Sequence, residues 1–437
     1  MNKTVGIYTL GCKVNQYESE AIGEALEARG FVLCPPTTVC DLYIINTCTV
    51  TAESDRKARQ FIRRALSKNP EAFVLVTGCM AQTSPEDIVG ISGVDYIGGN
   101  RNKMAVVEAA VSLCQQGRKN DRPAIDIPPL DGADFEPMSI CRFGRTRAYI
   151  KIEDGCESRC TYCIIPSARG HIRSKPMEDV LDEVRELTDA GCREVVLTGI
   201  ETASWGRDLE NADLADLLDA VDAIPGIGRV RLGSLDPTLM RPTFVERIAK
   251  LSSLAPHFHL SMQSGSDAVL ARMKRKYNRT QALAAIERLH KALPDVMLTT
   301  DIIVGFPGET EENFEATMDF ARRARFLMIH VFPYSKRQGT TAAIMPDQIP
   351  GEIKKQRVAA LSALSADIRR EILTELIEKQ TVLPVLFETY TKGTAVGHTP
   401  NFIEVHVPAP TSLHAQTHNV RLVALTEDGC GCVGQII

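Results

Sequence analysis

Apolar and polar positions along this chain follow two alternating rhythms. Short apolar runs, TVGIYTL (4–10), DLYIINT (41–47), AFVLVTG (72–78) and VDYIG (94–98), read as buried strands, and stretches with helical spacing lie between them. The first helix runs from about Gln16 to Gly30, with Ala21, Ile22, Ala25 and Leu26 on one face and Gly30 where a left-handed cap is wanted; the second covers 53–68. This alternation predicts an open parallel α/β sheet domain over residues 1–117. Pro123, Pro128, Pro129 and Pro137 then punctuate a segment without apolar periodicity, which reads as an extended linker over 118–141.

The alternation resumes over 142–372. Strands are predicted at 148–154, 194–199, 229–235, 257–262, 296–305 and 326–335, with helices at 176–190, 211–224, 237–252, 266–292 and 310–325. Six strand-plus-helix units predict an incomplete (β/α)6 barrel, and Val180, Leu181, Val184 and Leu187 form the buried stripe of an outer helix. A long charged helix over roughly 351–379 leads into short strands separated by Gly, Pro and Asn, which predict a small β-barrel over 373–437. The fold class is therefore α/β, with a small β-barrel at the C-terminal end.

Composition narrows the class without deciding it. With 44% hydrophobic and 24% charged residues the chain is ordinary for a globular protein. No apolar run approaches the roughly 18 residues of a membrane span, and no cleavable leader is evident, so a cytoplasmic protein without a membrane segment is expected. A net charge of -5 gives no global attraction to nucleic acid, so any such binding needs a local patch. Thirteen cysteines in such a chain point to metal binding or catalysis before disulfides.

The sequence EDGCESRCTYCIIPSARG places Cys156, Cys160 and Cys163 directly after the first barrel strand, at the end where barrels collect reactive groups. The spacing suits no zinc site and no ligating His pair is near, whereas an iron–sulfur cluster held by three thiolates leaves one iron open. A second set of three follows equivalent strand ends in the N-terminal domain: Cys12 after TVGIYTLG, Cys48 after LYIINT and Cys79 after FVLVTG. Ligands of open parallel sheets bind outside the carboxyl ends of the strands, so these three converge on one crevice and form a second cluster site. Cys34, Cys40, Cys114, Cys141, Cys192, Cys430 and Cys432 share no such pattern, although Cys430 and Cys432 are close enough to chelate an ion.

Cys156, Cys160, Tyr162 and Cys163 as they stand resemble the radical S-adenosylmethionine (SAM) enzymes. The resemblance implies that the open iron chelates SAM, which an electron from the cluster cleaves to methionine and a 5′-deoxyadenosyl radical. Gly199 and Glu201 in LTGIETASWG, Ser234 in LGSLDP, Gln263 in SMQSGSD, and Asp301 and Gly305 in DIIVGFPGET match that superfamily's SAM-binding positions. TLGCKVNQYESE, NTCTVT, TGCMAQ, QSGSDAVLARMKRKY and FPYSKRQGT extend the likeness to the methylthiotransferase family over essentially the whole chain, and the C-terminal barrel resembles its TRAM domain. Two 4Fe-4S clusters are implied, with one SAM methylating a sulfur at the auxiliary cluster and a second activating the substrate carbon. An electron donor such as a flavodoxin or ferredoxin is implied as well, while the sulfur donor is unknown. No His or Asp is read as a catalytic base, because an unactivated aromatic C–H has no proton such a group could remove at neutral pH.

Branches of that family act on isopentenyl-adenosine in tRNA, on threonylcarbamoyl-adenosine in tRNA, or on an aspartate of a ribosomal protein. TLGCKVNQYESE with NTCTVTAESDRKARQ most resembles the second branch, whose product is the 2-methylthio derivative at position 37 of tRNA. Arg56, Lys57, Arg59, Arg63, Arg64 and Lys68 crowd one helix just after Cys48, as a tRNA phosphate site would require, and Arg272, Lys274, Arg275 and Lys276 form another basic run. Either run also suits a solvated face. Residues 381–437 are slightly acidic, with Lys392 and Arg421 against Glu388, Glu404, Glu427 and Asp428. Either His398, His406, His414 and His418 add polar contacts there or that barrel is not the main tRNA anchor, which keeps a protein substrate open. A two-cluster electron-transfer protein is the non-enzymatic alternative, and it would need no SAM-binding strand ends.

Overall fold

The computed structural model describes residues 2–117, 119, 121–144 and 146–437. Strands β1 (Thr4–Thr9), β2 (Val32–Cys34), β3 (Leu42–Thr47), β4 (Phe73–Gly78), β5 (Tyr96–Gly98) and β6 (Ala124–Asp126) form a six-stranded sheet in the order β2-β1-β3-β4-β5-β6. Each pairing is parallel. β3 and β4 are buried along their whole length, which explains their unbroken apolar runs. β6 corrects the linker expected over 118–141: Tyr96–Gly98 pairs with Ala124–Asp126, an edge position that tolerates neighbouring prolines.

Helix α1 (Lys13–Ala28) starts ahead of the expected Gln16, because Cys12 is extended (φ -85°, ψ 174°) and itself takes the N-cap position. Helix α2 (Ala52–Lys68) is capped by Thr51, whose side chain accepts from the Ser54 amide, and buries Ala58, Ile62 and Ala65 against the sheet. A five-residue helix, α3 (Cys79–Thr83), follows β4 directly.

The central barrel contains β7 (Ala148–Lys151), the hairpin β8 (Glu153–Asp154) with β9 (Arg173–Ser174), then β10 (Glu194–Thr198), β11 (Arg229–Leu232), β12 (Ser234–Leu235), β13 (His257–Gln263), β14 (Met297–Val304) and β15 (Met328–Pro333). The strand expected at 229–235 changes partners at Gly233: β11 pairs with β10 and β12 pairs with β13, so the wall consists of a three-stranded and a four-stranded parallel sheet. Two expected helices are broken. Pro242 can only open a helix, so 237–252 becomes a 3-10 turn at Pro237–Leu239 and a helix at Pro242–Ile248. Lys274 is left-handed (φ 56°) and lies between helices Asp267–Arg272 and Arg279–Ala292. Leu181, Val184, Leu218, Phe258, Leu260 and Phe320 belong to the apolar core between the wall and its outer helices.

Strands β16 (Val382–Thr391), β17 (Thr394–His398), β18 (Glu404–Pro408), β19 (Thr417–Leu425) and β20 (Cys432–Ile436) close the C-terminal barrel. It docks under the amino ends of the central strands. Arg231 donates to the carbonyls of Thr399 (2.9 Å) and Pro400 (2.8 Å) and pairs with Glu194 (2.8 Å), while Arg147 bridges Glu194 and Glu388. Among the described residues no helix is long and apolar enough to cross a membrane.

The N-terminal sheet is joined to the central barrel by buried charge. Glu18 on α1 pairs with Arg169 (2.5 Å), Lys151 (3.1 Å) and Lys103 (3.2 Å), and Asp154 pairs with Lys151 (3.3 Å) and Arg169 (3.1 Å). Burial works against the Glu18 carboxylate, but Arg169, Lys103 and Lys151 outweigh it and hold its pKa well below the usual range. Glu18→Gln leaves those cations buried with one carboxylate fewer and should cost about 3–5 kcal/mol in urea unfolding at neutral pH. Because the folded-state pKa is depressed, the difference between wild type and variant should stay constant down to about pH 5. It should shrink once the pH passes below about 4.3 toward the folded value.

Candidate active site

Cys12, Cys48 and Cys79 stand at the carboxyl ends of β1, β3 and β4, three adjacent strands of the sheet. β1 has β2 on one side and β3 on the other, so Cys12 and Cys48 flank the point where the strand order reverses, the usual ligand crevice of such sheets. Gly11 has φ +94°, and a Cβ there would come within 2.7 Å of Cys48 Sγ; glycine lets the turn into α1 close over Cys48. The Asn100 amide nitrogen lies 3.6 Å from Cys79 Sγ and donates to the Ala168 carbonyl (2.8 Å). Burial pushes the Cys48 thiol up to about 12, with Cys79 adding to the effect. Cys12 is reached by water yet walled by protein, and burial raises its pKa against the opposing pull of Arg169.

Cys12 and Cys48 therefore stay protonated near neutrality unless positive charge is brought to them. Their surroundings suit an anionic group once they are deprotonated. Three cations, Arg169, Lys103 and Lys151, share the two carboxylates Glu18 and Asp154, and Arg169 Nε has no hydrogen-bond partner among the described residues. A cluster of iron and sulfide held by three thiolates is anionic and accepts hydrogen bonds at sulfur, so this donor set fits one.

The other set lies on the loop after β8. Its backbone is tied to both flanks of the barrel mouth: the Thr161 amide donates to Met273 (3.2 Å), and the Thr161 carbonyl accepts from Ala342 (2.8 Å). The Cys156 thiol donates to the Glu201 carboxylate (3.0 Å), and Ser158 Oγ donates to the same group (3.3 Å). Arg275, expected in a basic run on the surface, is largely buried: it lies 3.4 Å from Cys160 Sγ and binds Asp236 (2.8 Å) and the Ser261 carbonyl (2.9 Å). Burial lifts Cys163 to about 11, and burial with the Glu201 carboxylate raises Cys156. Three thiols with a cation beside them again fit an anionic cluster.

The strand-end residues divide into groups. Glu201 meets Cys156, and its amide donates to Glu153 (2.7 Å), against which Gly199 also packs. Tyr162 packs on Val269, Met273, Phe306 and Tyr334 beside the cysteine loop. Ser234 is exposed on β12, and Gln263 closes β13 in a left-handed conformation (φ 64°). Asp301 sits deeper, halfway along β14, facing His259 Nε2 (3.3 Å). Gly305 makes its contacts on the outer side: its amide donates to Glu309 (2.5 Å), and it packs against Lys354 of the helix Gly351–Glu378.

The barrel interior also sets Asp301 beside groups that strand-end motifs do not announce. His259, Asp301 and His330 occupy three neighbouring strands, with Asp301 opposite His330 in register and the two imidazoles 5.9 Å apart. Lys13, next to Cys12, points its amino group at the Tyr149 ring (6.0 Å to the centroid). Burial lowers the Lys13 pKa, as do Arg147 and Arg231. The adjacency of Lys13 to Cys12 is the one sequence signal for it. On α2, Arg56 pairs with Glu53 (2.6 Å) and Arg59 with Asp87 (3.6 Å), leaving Lys57, Arg63 and Arg64 exposed. Cys432 lies in the core of the small barrel while Cys430 is exposed, so they do not present a chelating pair. His398 and His406 pair with Glu388 (2.9 Å) and Glu404 (2.8 Å).

Residues 150–321 match the Radical SAM superfamily, and residues 4–99 match a family described as Uncharacterized protein family UPF0004. Among solved structures, the radical S-adenosylmethionine methyltransferase TsrM from Kitasatospora setae overlays with a TM-score of 0.58 at 18% identity, covering 79% of this chain and 77% of that one. Fold and cysteine loop together define a radical SAM protein. Threonylcarbamoyladenosine tRNA methylthiotransferase MtaB of Bacillus subtilis is 40% identical over 410 residues, 92% of this chain and 90% of that protein. MtaB of Thermotoga maritima is 37% identical over 98% of this chain and 96% of its own length. A tRNA-2-methylthio-N(6)-dimethylallyladenosine synthase of Syntrophomonas wolfei is 37% identical over 85% of this chain and 83% of its own. The chain belongs to the methylthiotransferase family, among the MtaB enzymes.

Proposed function

We propose that the protein converts N6-threonylcarbamoyladenosine at position 37 of tRNA to its 2-methylthio derivative, using SAM both as methyl donor and as radical source. The observation that carries this reading is the pair of three-cysteine recesses on either side of one cation-rich wedge. The names of the MtaB relatives supply the substrate. Cys12, Cys48 and Cys79 would hold an auxiliary 4Fe-4S cluster, and Cys156, Cys160 and Cys163 the cluster that serves SAM. When bound, these groups supply the electron and the methylthio sulfur, chemistry that side-chain acids and bases cannot provide at an aromatic C–H.

The chain's own residues then bind and orient. Arg169 and Lys103 offset charge at the auxiliary site, and Arg275 fixes Cys160. Glu201, Tyr162 and Gly199 flank the cysteine loop as SAM contacts, with Ser234, Gln263 and Asp301 along the chamber wall. Gly305 supports that wall through Glu309. Lys57, Arg63 and Arg64 on α2, which begins just after Cys48, give tRNA phosphates a place beside the auxiliary site and favour an RNA substrate over a protein one. A flavodoxin or ferredoxin would deliver electrons, and a tRNA substrate places the activity in the cytoplasm.

Two measurements test this reading. Cys12→Ala, Cys48→Ala and Cys79→Ala should each lose about half the bound iron yet still form 5′-deoxyadenosine from SAM on reduction, whereas Cys156→Ala should abolish that cleavage. Wild-type protein that never cleaves SAM would rule out an enzyme of this class. In tRNA nucleosides from cells lacking the gene, the methylthio form of threonylcarbamoyladenosine should vanish; if only the methylthio form of isopentenyl-adenosine falls, the substrate belongs to the other tRNA branch.

A further inference from the structure

The barrel chamber contains charged groups that are nearly all committed to one another. Arg147 and Arg231 bind Glu194 (3.1 and 2.8 Å), Lys151 binds Glu18 and Asp154, and Asp301 faces His259 (3.3 Å). Lys13 is the exception: among the described residues its ammonium makes no hydrogen bond or ion pair, only the contact with the Tyr149 face. It is solvent-accessible, and Arg147, Arg231, Glu194 and Asp301 all lie within electrostatic reach. A cation held open among other cations is placed to receive an anion.

We propose that Lys13 binds the carboxylate of the substrate's threonyl group beside the Tyr149 ring, and thereby selects threonylcarbamoyl-adenosine over adenosines with an uncharged N6 substituent. This rests on the substrate reading above. The threonylcarbamoyl group carries a carboxylate that an isopentenyl group lacks. Withdrawing that carboxylate from water is costly unless a cation meets it, and Lys13 is the chamber cation whose ammonium is not already held by a carboxylate: Arg147 and Arg231 are bound to Glu194, and Lys151 to Glu18 and Asp154. An isopentenyl group in the same place would desolvate the ammonium without pairing it, and sites built around a polar partner reject analogues that lack it. The position also suits the chemistry. Lys13 directly follows Cys12, so a base anchored through N6 at Lys13 is held close to the recess from which the sulfur is delivered.

The test uses cluster-reconstituted protein and anticodon stem-loops that differ only at A37: threonylcarbamoyl, its methyl ester, isopentenyl, or unmodified. Wild type should bind the free acid about tenfold more tightly than the ester, as one charge-assisted contact predicts. Lys13→Gln should remove that preference, and Lys13→Arg should restore most of it, with iron content unchanged. Should Lys13→Gln fail to load iron, carbodiimide coupling of the RNA carboxylate to wild-type protein decides the matter, with Lys13 expected as the modified lysine by peptide mass spectrometry. Retained acid-over-ester preference in Lys13→Gln, or coupling to a different lysine, overturns the assignment while leaving the substrate reading intact. A wild type indifferent to the threonylcarbamoyl group removes both.

Discussion

The structure turns on one buried carboxylate. Glu18 comes from the helix that follows Cys12, and its main partner Arg169 comes from the segment that follows Cys163, so a single ion pair joins the trailing ends of the two cysteine sets. Lys103 and Asn100 draw Cys79 into the same network, and Asp154 connects it to the residues just before Cys156. Ion pairs this deep contribute little net stability once desolvation is counted, but they punish any arrangement that leaves a member unpaired. What the network fixes is therefore geometry. The N-terminal sheet and the central wall are thereby held at one separation and angle, with the two cysteine sets fixed relative to each other.

A complete eight-stranded barrel fills its centre with layers of branched apolar side chains. Here Glu194, Arg231, His257, His259, Thr299 and Asp301 turn inward, and the strand break at Gly233 divides the wall into two sheets. The interior is consequently polar, while the apolar core moves outward between strands and helices. The fold has given up a packed centre for a chamber, and the C-terminal barrel closes its lower end.

Much of this was legible in the residues, for physical reasons that also mark where legibility stops. β3 and β4 are covered on both faces and so carry continuous apolar runs, and the cysteines at their ends could be placed from pattern alone. β2 and β6 are three-residue edge strands whose short, half-exposed runs resemble loop, and only pairing with a neighbour makes them strands. Arg275 reads as part of a basic surface run because sequence does not show that the strand β13 and the cysteine loop close over it. Gly305 matches a motif position yet packs against a helix some fifty residues later, at Lys354. Lys13 and Arg169 are single residues without periodicity, and their importance comes from contacts across the domain boundary.

Arg147 reaches in two directions at once, to Glu194 on the barrel floor and to Glu388 on the small C-terminal barrel, while Arg231 grips the carbonyls of the loop at Thr399 and Pro400. The appended barrel is thus keyed into the enzyme and does not hang from it. Transplanting such a module between family members would succeed only where donor and host carry matching acid and arginine at this joint. Any exchange of the appended barrel is accordingly constrained by the few charges of this joint.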